Sequence, residues 1–89
     1  MSWIIKYTES ASKKLKKLDK RTATNILDYM DERVGVLPNP RSLGKSLKGP
    51  KIGEYWRYRV GDIRVICHIA DGQMIVLVIE IGHRREIYR

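Results

Sequence analysis

The segment GHRREIYR at residues 82–89 holds the side chains best suited to chemistry on a charged substrate. It combines an imidazole (His83), a carboxylate (Glu86) and a phenol (Tyr88) with three arginines. Every Lys or Arg after Lys51 is an arginine. A guanidinium group is planar and can bind two phosphate oxygens at once, whereas lysine offers a point charge on a flexible stem. The pattern therefore predicts a site that recognises phosphate groups.

Two apolar segments, EYWRYRV and IRVICHIA, carry three more arginines and are separated by Gly61-Asp62. Such a dipeptide is typical of a two-residue hairpin turn, which would place Arg59 directly opposite Arg64. Because side chains alternate along a strand, Arg57, Arg59 and Arg64 then share one face. The opposite face is a core surface of Trp56, Tyr58, Val60, Ile63, Val65 and Cys67. Like charges opposite each other destabilise a sheet, and no acidic neighbour is evident, so we expect an anion to bind to the arginine face.

These residue types suit scission of an RNA strand better than proteolysis or redox chemistry. RNA supplies its own nucleophile, the 2′-hydroxyl, so the protein need only bind phosphate, remove one proton and donate another. Arginine can stabilise the charge that builds on the phosphorus oxygens. Nearby guanidinium groups favour a phenolate, which makes Tyr88 a candidate general base. His83 and Glu86 are alternative proton-transfer groups that residue type alone does not exclude.

Other chemistries lack their motifs in this chain. His68 and His83 have no acidic or thiol companions at ligand spacing, so we expect neither a metal site nor a cofactor. The Gly44-Lys45-Ser46 tripeptide lacks the spacing and the preceding strand of a nucleotide-binding loop.

Charge indicates the kind of partner. Eighteen Lys and Arg against ten Asp and Glu give the 89 residues a net charge of +8. The lysines concentrate in the first half, as in KKLKKLDKR at residues 13–21. Such a surface attracts polyanions, although an acidic protein partner would satisfy it as well.

Hydrophobic patterns predict the elements that position these groups. SWIIKY alternates as a strand does, and Thr8 can then cap a first helix. Apolar residues recur at three- and four-residue spacing from Ala23 to Leu37, which predicts a second helix ended by Pro38. A long loop over residues 38–53 precedes three strands. We expect an α+β fold of order β-α-α-β-β-β, a mostly antiparallel four-stranded sheet with a two-helix hairpin packed on one face.

One segment conflicts with this arrangement. A two-residue turn at Asp71-Gly72 would direct Ile75, Leu77, Ile79 and Ile81 toward the arginine face and Glu80 toward the core. Either the turn is longer, or part of the arginine face is apolar and covered by a partner.

Size and composition indicate one domain over residues 1–89. The lone Cys67 excludes a disulfide framework and indicates a reducing cytoplasm. The N-terminal segment does not resemble a signal peptide, and the apolar run MIVLVIEIG is too short to span a bilayer, so no membrane contact is expected.

The motifs KSLKG, EYWRYRVGDIRVICHI and VIEIGHRREIYR resemble the RelE branch of the RelE/ParE toxins of type II toxin–antitoxin systems. This resemblance covers nearly the whole chain. It implies a RelE-like toxin domain that acts as a ribosome-dependent endoribonuclease, or mRNA interferase, and cleaves mRNA in the ribosomal A site. It also implies restraint by a partly acidic antitoxin, with operator DNA bound only through the toxin–antitoxin complex.

The resemblance implies a role for each site residue. Tyr88 would act as general base, Arg84 would stabilise the transition state, and Arg64 would assist protonation of the leaving oxygen. The phosphate would be held by Arg57 and Arg59. The ribosomal RNA backbone would be gripped by the lysines of the first helix, Lys13, Lys14, Lys16 and Lys17.

Two alternatives stay open. A ParE-like member of the superfamily would inhibit DNA gyrase without cutting RNA. A non-catalytic nucleic-acid-binding module would use the arginines only to position phosphate.

Overall fold

The computed structural model describes residues 2–47 and 55–83. Its elements in chain order are β1 (Ile4–Tyr7), α1 (Glu9–Lys17), α2 (Lys20–Asp28), a π-helical turn (Tyr29–Val34), a 3-10 turn (Pro40–Ser42), β2 (Lys45–Ser46), β3 (Tyr55–Val60), β4 (Ile63–Ala70), a second 3-10 turn (Asp71–Gln73) and β5 (Ile75–His83). The sheet order is β1-β5-β4-β3-β2. Only β1 with β5 is a parallel pair among these strands. The α+β class is confirmed, with five strands in place of the expected four.

Side-chain caps begin both helices. The hydroxyl oxygen of Thr8 accepts a hydrogen bond from the Ala11 N–H at 3.1 Å, as predicted. Asp19 likewise accepts from the N–H of Thr22 at 3.0 Å and caps α2. The predicted second helix corresponds to α2 and the π-helical turn that follows it. This helical segment ends at Val34 and does not extend to Leu37.

The core lies between the two helices and one face of the sheet. The fully buried helix residues Ala11, Ile26, Met30 and Val34 pack against strand residues that include Tyr58, Val65, Cys67, Val76 and Val78. The predicted hairpin register is confirmed, since Val60 pairs with Ile63 and Arg59 with Arg64. The other face of the sheet therefore carries the arginines.

A β-bulge resolves the conflict in β5. Residues 71–74 separate the paired residues Ala70 and Ile75, so the turn is longer than two residues. The turn has two more residues than an Asp71-Gly72 turn would have. Because side chains alternate between the faces with a period of two, Ile75 still lies on the arginine face. One extra residue then enters β5, because Cys67 pairs with Val78 whereas Ile66 pairs with Glu80.

The bulge reverses the faces of the residues that follow it. Ile81 pairs with Val65 and is 3% exposed in the core cluster. Glu80 is exposed on the arginine face. Both residues therefore lie on the opposite face from the one that a two-residue turn at Asp71-Gly72 would give them, and the first alternative, a longer turn, is confirmed.

Candidate phosphate-binding site

Three arginines from two neighbouring strands line one groove of about 250 Å³ beside β3. We call it the arginine groove; its lining residues are Tyr29, Gly44, Lys45, Arg57, Tyr58, Arg59 and Arg64. The hairpin register brings Arg59 beside Arg64, and β2 adds Lys45 beside Arg57. Four cationic residues thus border one cavity, as an anion-binding site requires.

The three arginines differ in their exposure. Arg64 is 8% exposed and is a buried charged residue of the described chain. Arg59 is exposed, and its Nε donates to the Gly61 carbonyl at 3.3 Å. Arg57 lies between these extremes. A charge that is shielded from water acts more strongly on a nearby anion, so Arg64 is the best placed of the three to stabilise charge that develops during a reaction.

Tyr58 also borders the groove, but its hydroxyl is committed. It donates to the Pro40 carbonyl at 2.7 Å, and burial raises the pKa of Tyr58. A phenol held in its protonated form by burial cannot serve as a general base near neutral pH. Its hydrogen bond instead anchors the loop that carries Gly44 and Lys45.

A tight contact seats this loop against β3. Trp56 donates its indole N–H to the Leu43 carbonyl at 2.6 Å. Gly44 has φ +74°, and a Cβ placed there would lie 2.8 Å from Trp56 Nε1 and 2.9 Å from Tyr58 Cδ1. Glycine is therefore required here both for the backbone angle and for the close approach.

A second groove, of about 340 Å³, lies between α1 and the end of β5. We call it the lysine groove; its lining residues are Ser10, Lys13, Lys14, Lys17, Glu80, Ile81 and Gly82. The three lysines follow Ser10 at helical spacing and so occupy one side of α1. Lys16 is exposed and does not line the groove, so the structure separates it from the other three predicted lysines.

The two grooves flank a narrow strip of sheet. Gly82 of the lysine groove pairs with Arg64 of the arginine groove. The lysine groove borders β5, whereas the arginine groove borders β2, β3 and the adjoining end of β4, so the two linings meet on adjacent strands.

His83 does not join the arginines. It pairs with Ile63, whose side chain faces the core, and it lines a separate cleft with Thr22 and Asn25 of α2. This geometry separates the imidazole from the arginine groove. The predicted Arg84, Glu86 and Tyr88 lie outside the described residues.

Sequence reasoning missed Tyr29 and the Gly44-Lys45 pair as groove residues. Tyr29 belongs to a helix, and helical periodicity does not reveal which strand edge a residue will reach. Gly44 and Lys45 lie in a loop whose only local pattern is an incomplete nucleotide-binding tripeptide and the start of the KSLKG motif. The KSLKG motif was the available signal for their position.

Among residues 2–47 and 55–83, none of the helices combines the length and the apolar character needed to cross a membrane. Within the same ranges, no group of three or more His, Cys, Asp and Glu side chains is placed to hold a metal ion.

Several solved structures share this fold. The toxin–antitoxin complex RelBE2 of Mycobacterium tuberculosis matches with a TM-score of 0.84 and 21% identity over 94% of this chain and 93% of that one. A free E. coli RelE mutant matches with a TM-score of 0.77 and 22% identity over 97% and 87%. The archaeal RelE–RelB complex of Pyrococcus horikoshii matches with a TM-score of 0.67 and 24% identity over 94% and 97%. The fold is that of the RelE toxins.

The chain belongs to the family of ParE toxins of type II toxin–antitoxin systems (parDE), whose model matches residues 5–88. No curated protein sequence gives a significant match. The family and the structural likenesses agree on a toxin of the RelE/ParE superfamily.

Proposed function

We propose that this toxin is a ribosome-dependent endoribonuclease that cleaves mRNA in the ribosomal A site and so inhibits translation. The observation that carries the proposal is the convergence of Arg57, Arg59 and Arg64 on one groove. A phosphodiester bound there would have its developing negative charge surrounded by fixed guanidinium groups, which is the main requirement for this reaction.

The reaction needs no nucleophile from the protein. The 2′-oxygen of the message forms a bond to the adjacent phosphorus, and the bond from phosphorus to the 5′-oxygen breaks. In this proposal Tyr88 accepts the 2′-hydroxyl proton, and Arg84 stabilises the transition state. Arg64 assists protonation of the leaving 5′-oxygen, while Arg57 and Arg59 hold the phosphate. A metal ion is not required by these steps.

The lysines extend the binding surface. Lys13, Lys14 and Lys17 would hold ribosomal RNA backbone in the lysine groove, and Lys16 would contribute from outside it. The proposed setting is the cytoplasm, where ribosomes translate.

A cognate antitoxin is the second proposed partner. The M. tuberculosis RelBE2 structure is a toxin–antitoxin complex, and the archaeal structure is a RelE–RelB complex. By analogy, a partly acidic antitoxin would bind this toxin of net charge +8 and restrain it. Operator DNA would be contacted only through that complex.

Inhibition of DNA gyrase is the second candidate function. It is favoured by the family model, which is that of the ParE toxins. The presence of both Arg84 and Tyr88 in the sequence favours the nuclease. A toxin that only binds nucleic acid would use the same arginines without cutting.

Mapping of transcript ends after induction of the toxin in cells separates these functions. We expect new mRNA ends within translated frames, and none when ribosomes are kept off the message. Intact messages accompanied by DNA damage would identify gyrase as the target. Intact messages with RNA binding alone would indicate a non-catalytic module.

Tyr88→Phe and Arg84→Ala test the site assignment in the same assay. Each should relieve growth arrest and abolish the new ends, because each removes a group that acts on the reacting phosphate. Circular dichroism must show that both variants stay folded. Unchanged toxicity in both would refute the roles given to these residues.

A further inference from the structure

Tyr29 borders the arginine groove although it comes from the helical layer and not from the sheet. It is half-buried, and its ring packs against the core cluster on one side. The groove therefore offers two kinds of surface, a cationic wall from the strands and an aromatic side chain from the helices.

A π-helical turn carries this ring, and two neighbouring side chains pack against it. Tyr29 is the first residue of the π-helical turn, in which the Gly35 N–H donates to the Met30 carbonyl at 2.8 Å. Isolated π-helical turns occur frequently at functional sites. The guanidinium carbon of Arg33 lies 5.9 Å from the centre of the Tyr29 ring. The Tyr58 ring packs at an angle of 59°, with 6.3 Å between ring centres.

Phosphate-binding cations beside an aromatic ring are the combination used to bind single-stranded nucleic acid. The cations follow the backbone, and the ring packs against a base, whose flat face is available to stack when the base is unpaired. Arg33 lies over the ring and outside the residues that line the groove, and its planar guanidinium can itself stack on a base.

We propose that Tyr29, with Arg33, forms a nucleobase-binding subsite for the RNA strand whose phosphate occupies the arginine groove. This inference rests on the proposed nuclease function and adds a specificity-determining contact to it. Tyr29 contributes through its ring and not through its hydroxyl, so the base of one nucleotide near the cleaved bond is held while the arginines hold its phosphate.

The test compares binding of two fluorescent probes by fluorescence anisotropy at one salt concentration. One is a short single-stranded RNA, and the other is a ribose-phosphate oligomer of equal length without bases. Because stacking on one aromatic side chain is worth about fivefold to 100-fold in affinity, the wild-type protein should prefer the RNA by at least about fivefold. Tyr29→Leu should lose this preference, and Tyr29→Phe should keep it.

Tyr55→Leu is the matched control. Tyr55 is also a half-buried tyrosine, its ring lies 6.4 Å from the ring of His68, and it does not line the arginine groove. We expect this variant to keep the preference for RNA. Thermal melting of each variant separates loss of the base contact from loss of the fold.

The possible results are distinguishable. A preference for RNA that survives Tyr29→Leu, or one that is lost in Tyr29→Phe, would overturn the subsite while leaving a cleaving wild-type protein intact as a nuclease. Equal binding of both probes by the wild-type protein would also overturn it. A wild-type protein that neither binds RNA nor produces transcript ends would overturn the proposed function and this inference together.

Discussion

Gly44 is the residue that lets the loop reach the arginines. Its positive φ and the carbonyl of Arg57, which a Cβ would overlap, leave no space for a side chain. The next residue, Lys45, is then in register with Arg57 and lines the same groove. A single backbone position thus controls whether a fourth cation joins the three arginines.

Gly44→Ala should therefore lower both stability and RNA affinity. The left-handed backbone alone costs an alanine about 1–2 kcal/mol, and the overlap with β3 adds to this. Two controls separate the causes. Gly61 has φ +60° but nothing within 4 Å of an added Cβ, and Gly72 has the same open space without a positive φ. Chemical denaturation should rank destabilisation as Gly44→Ala, then Gly61→Ala, then Gly72→Ala. An equal loss at Gly44 and Gly61 would show that the close approach does not matter.

Glu80 shows how one residue can change the character of a face. The bulge places its carboxylate on the arginine face, at the border of the lysine groove. A carboxylate among cations limits how closely a polyanion can approach. This residue therefore marks an edge of the candidate phosphate-binding surface.

At the scale of the element, α1 has two functional sides. Ala11 is buried in the core, and Leu15 and Leu18 pack against it. A different side turns Lys13, Lys14 and Lys17 toward β5. The helix thus both covers the sheet and supplies one wall of a cationic groove.

Neighbouring lysines on α1 should differ in their contribution to RNA binding. Lys17→Gln should weaken binding and reduce the slope of log affinity against log salt by about 1, the loss of one phosphate contact. Lys16→Gln removes the same charge outside the groove and should change the slope less. A salt titration of RNA affinity measures both. If the two variants reduced the slope by the same amount, overall charge, and not the groove, would attract RNA.

At the scale of the whole molecule, one ion pair joins distant parts of the chain. Arg41 donates from both of its terminal nitrogens to the Asp71 carboxylate, at 2.8 and 3.0 Å. It connects the turn that precedes β2 to the turn between β4 and β5. Both side chains are partly exposed, at 37% and 65%, so solvent weakens the interaction.

This ion pair makes stability depend on pH. The hydrogen bonds from Arg41 lower the pKa of Asp71. A carboxyl with a lowered pKa stabilises the fold above the ordinary aspartate pKa of about 3.9, and this contribution is lost as the pH falls through the lowered value. Asp71→Asn should therefore lower Tm at pH 7, with a difference from the wild-type protein that shrinks below about pH 4. Asp62→Asn, in the other hairpin turn, is the control and should not reproduce this pattern.

Local sequence patterns were enough to predict both helices, the strands β1, β3, β4 and β5, and the register that brings the arginines together. A two-residue turn at Gly61-Asp62 permits only one pairing, so Arg59 had to oppose Arg64. Thr8 predicted the start of α1 because its hydroxyl oxygen can accept from a free N–H of the first turn. These are local constraints, and each acts within a few residues of the chain.

Which other residues reach that surface depends on long-range packing. The bulge in β5 reversed Glu80 and Ile81, because packing on β4 selected a register that a pattern of alternating residues does not encode. Tyr29 came to the arginine groove through helix packing, and Lys45 came through the approach that Gly44 allows. Such placements depend on contacts between segments that are far apart in the chain. The energy of such a contact depends on both segments, so the pattern of either one alone does not predict it.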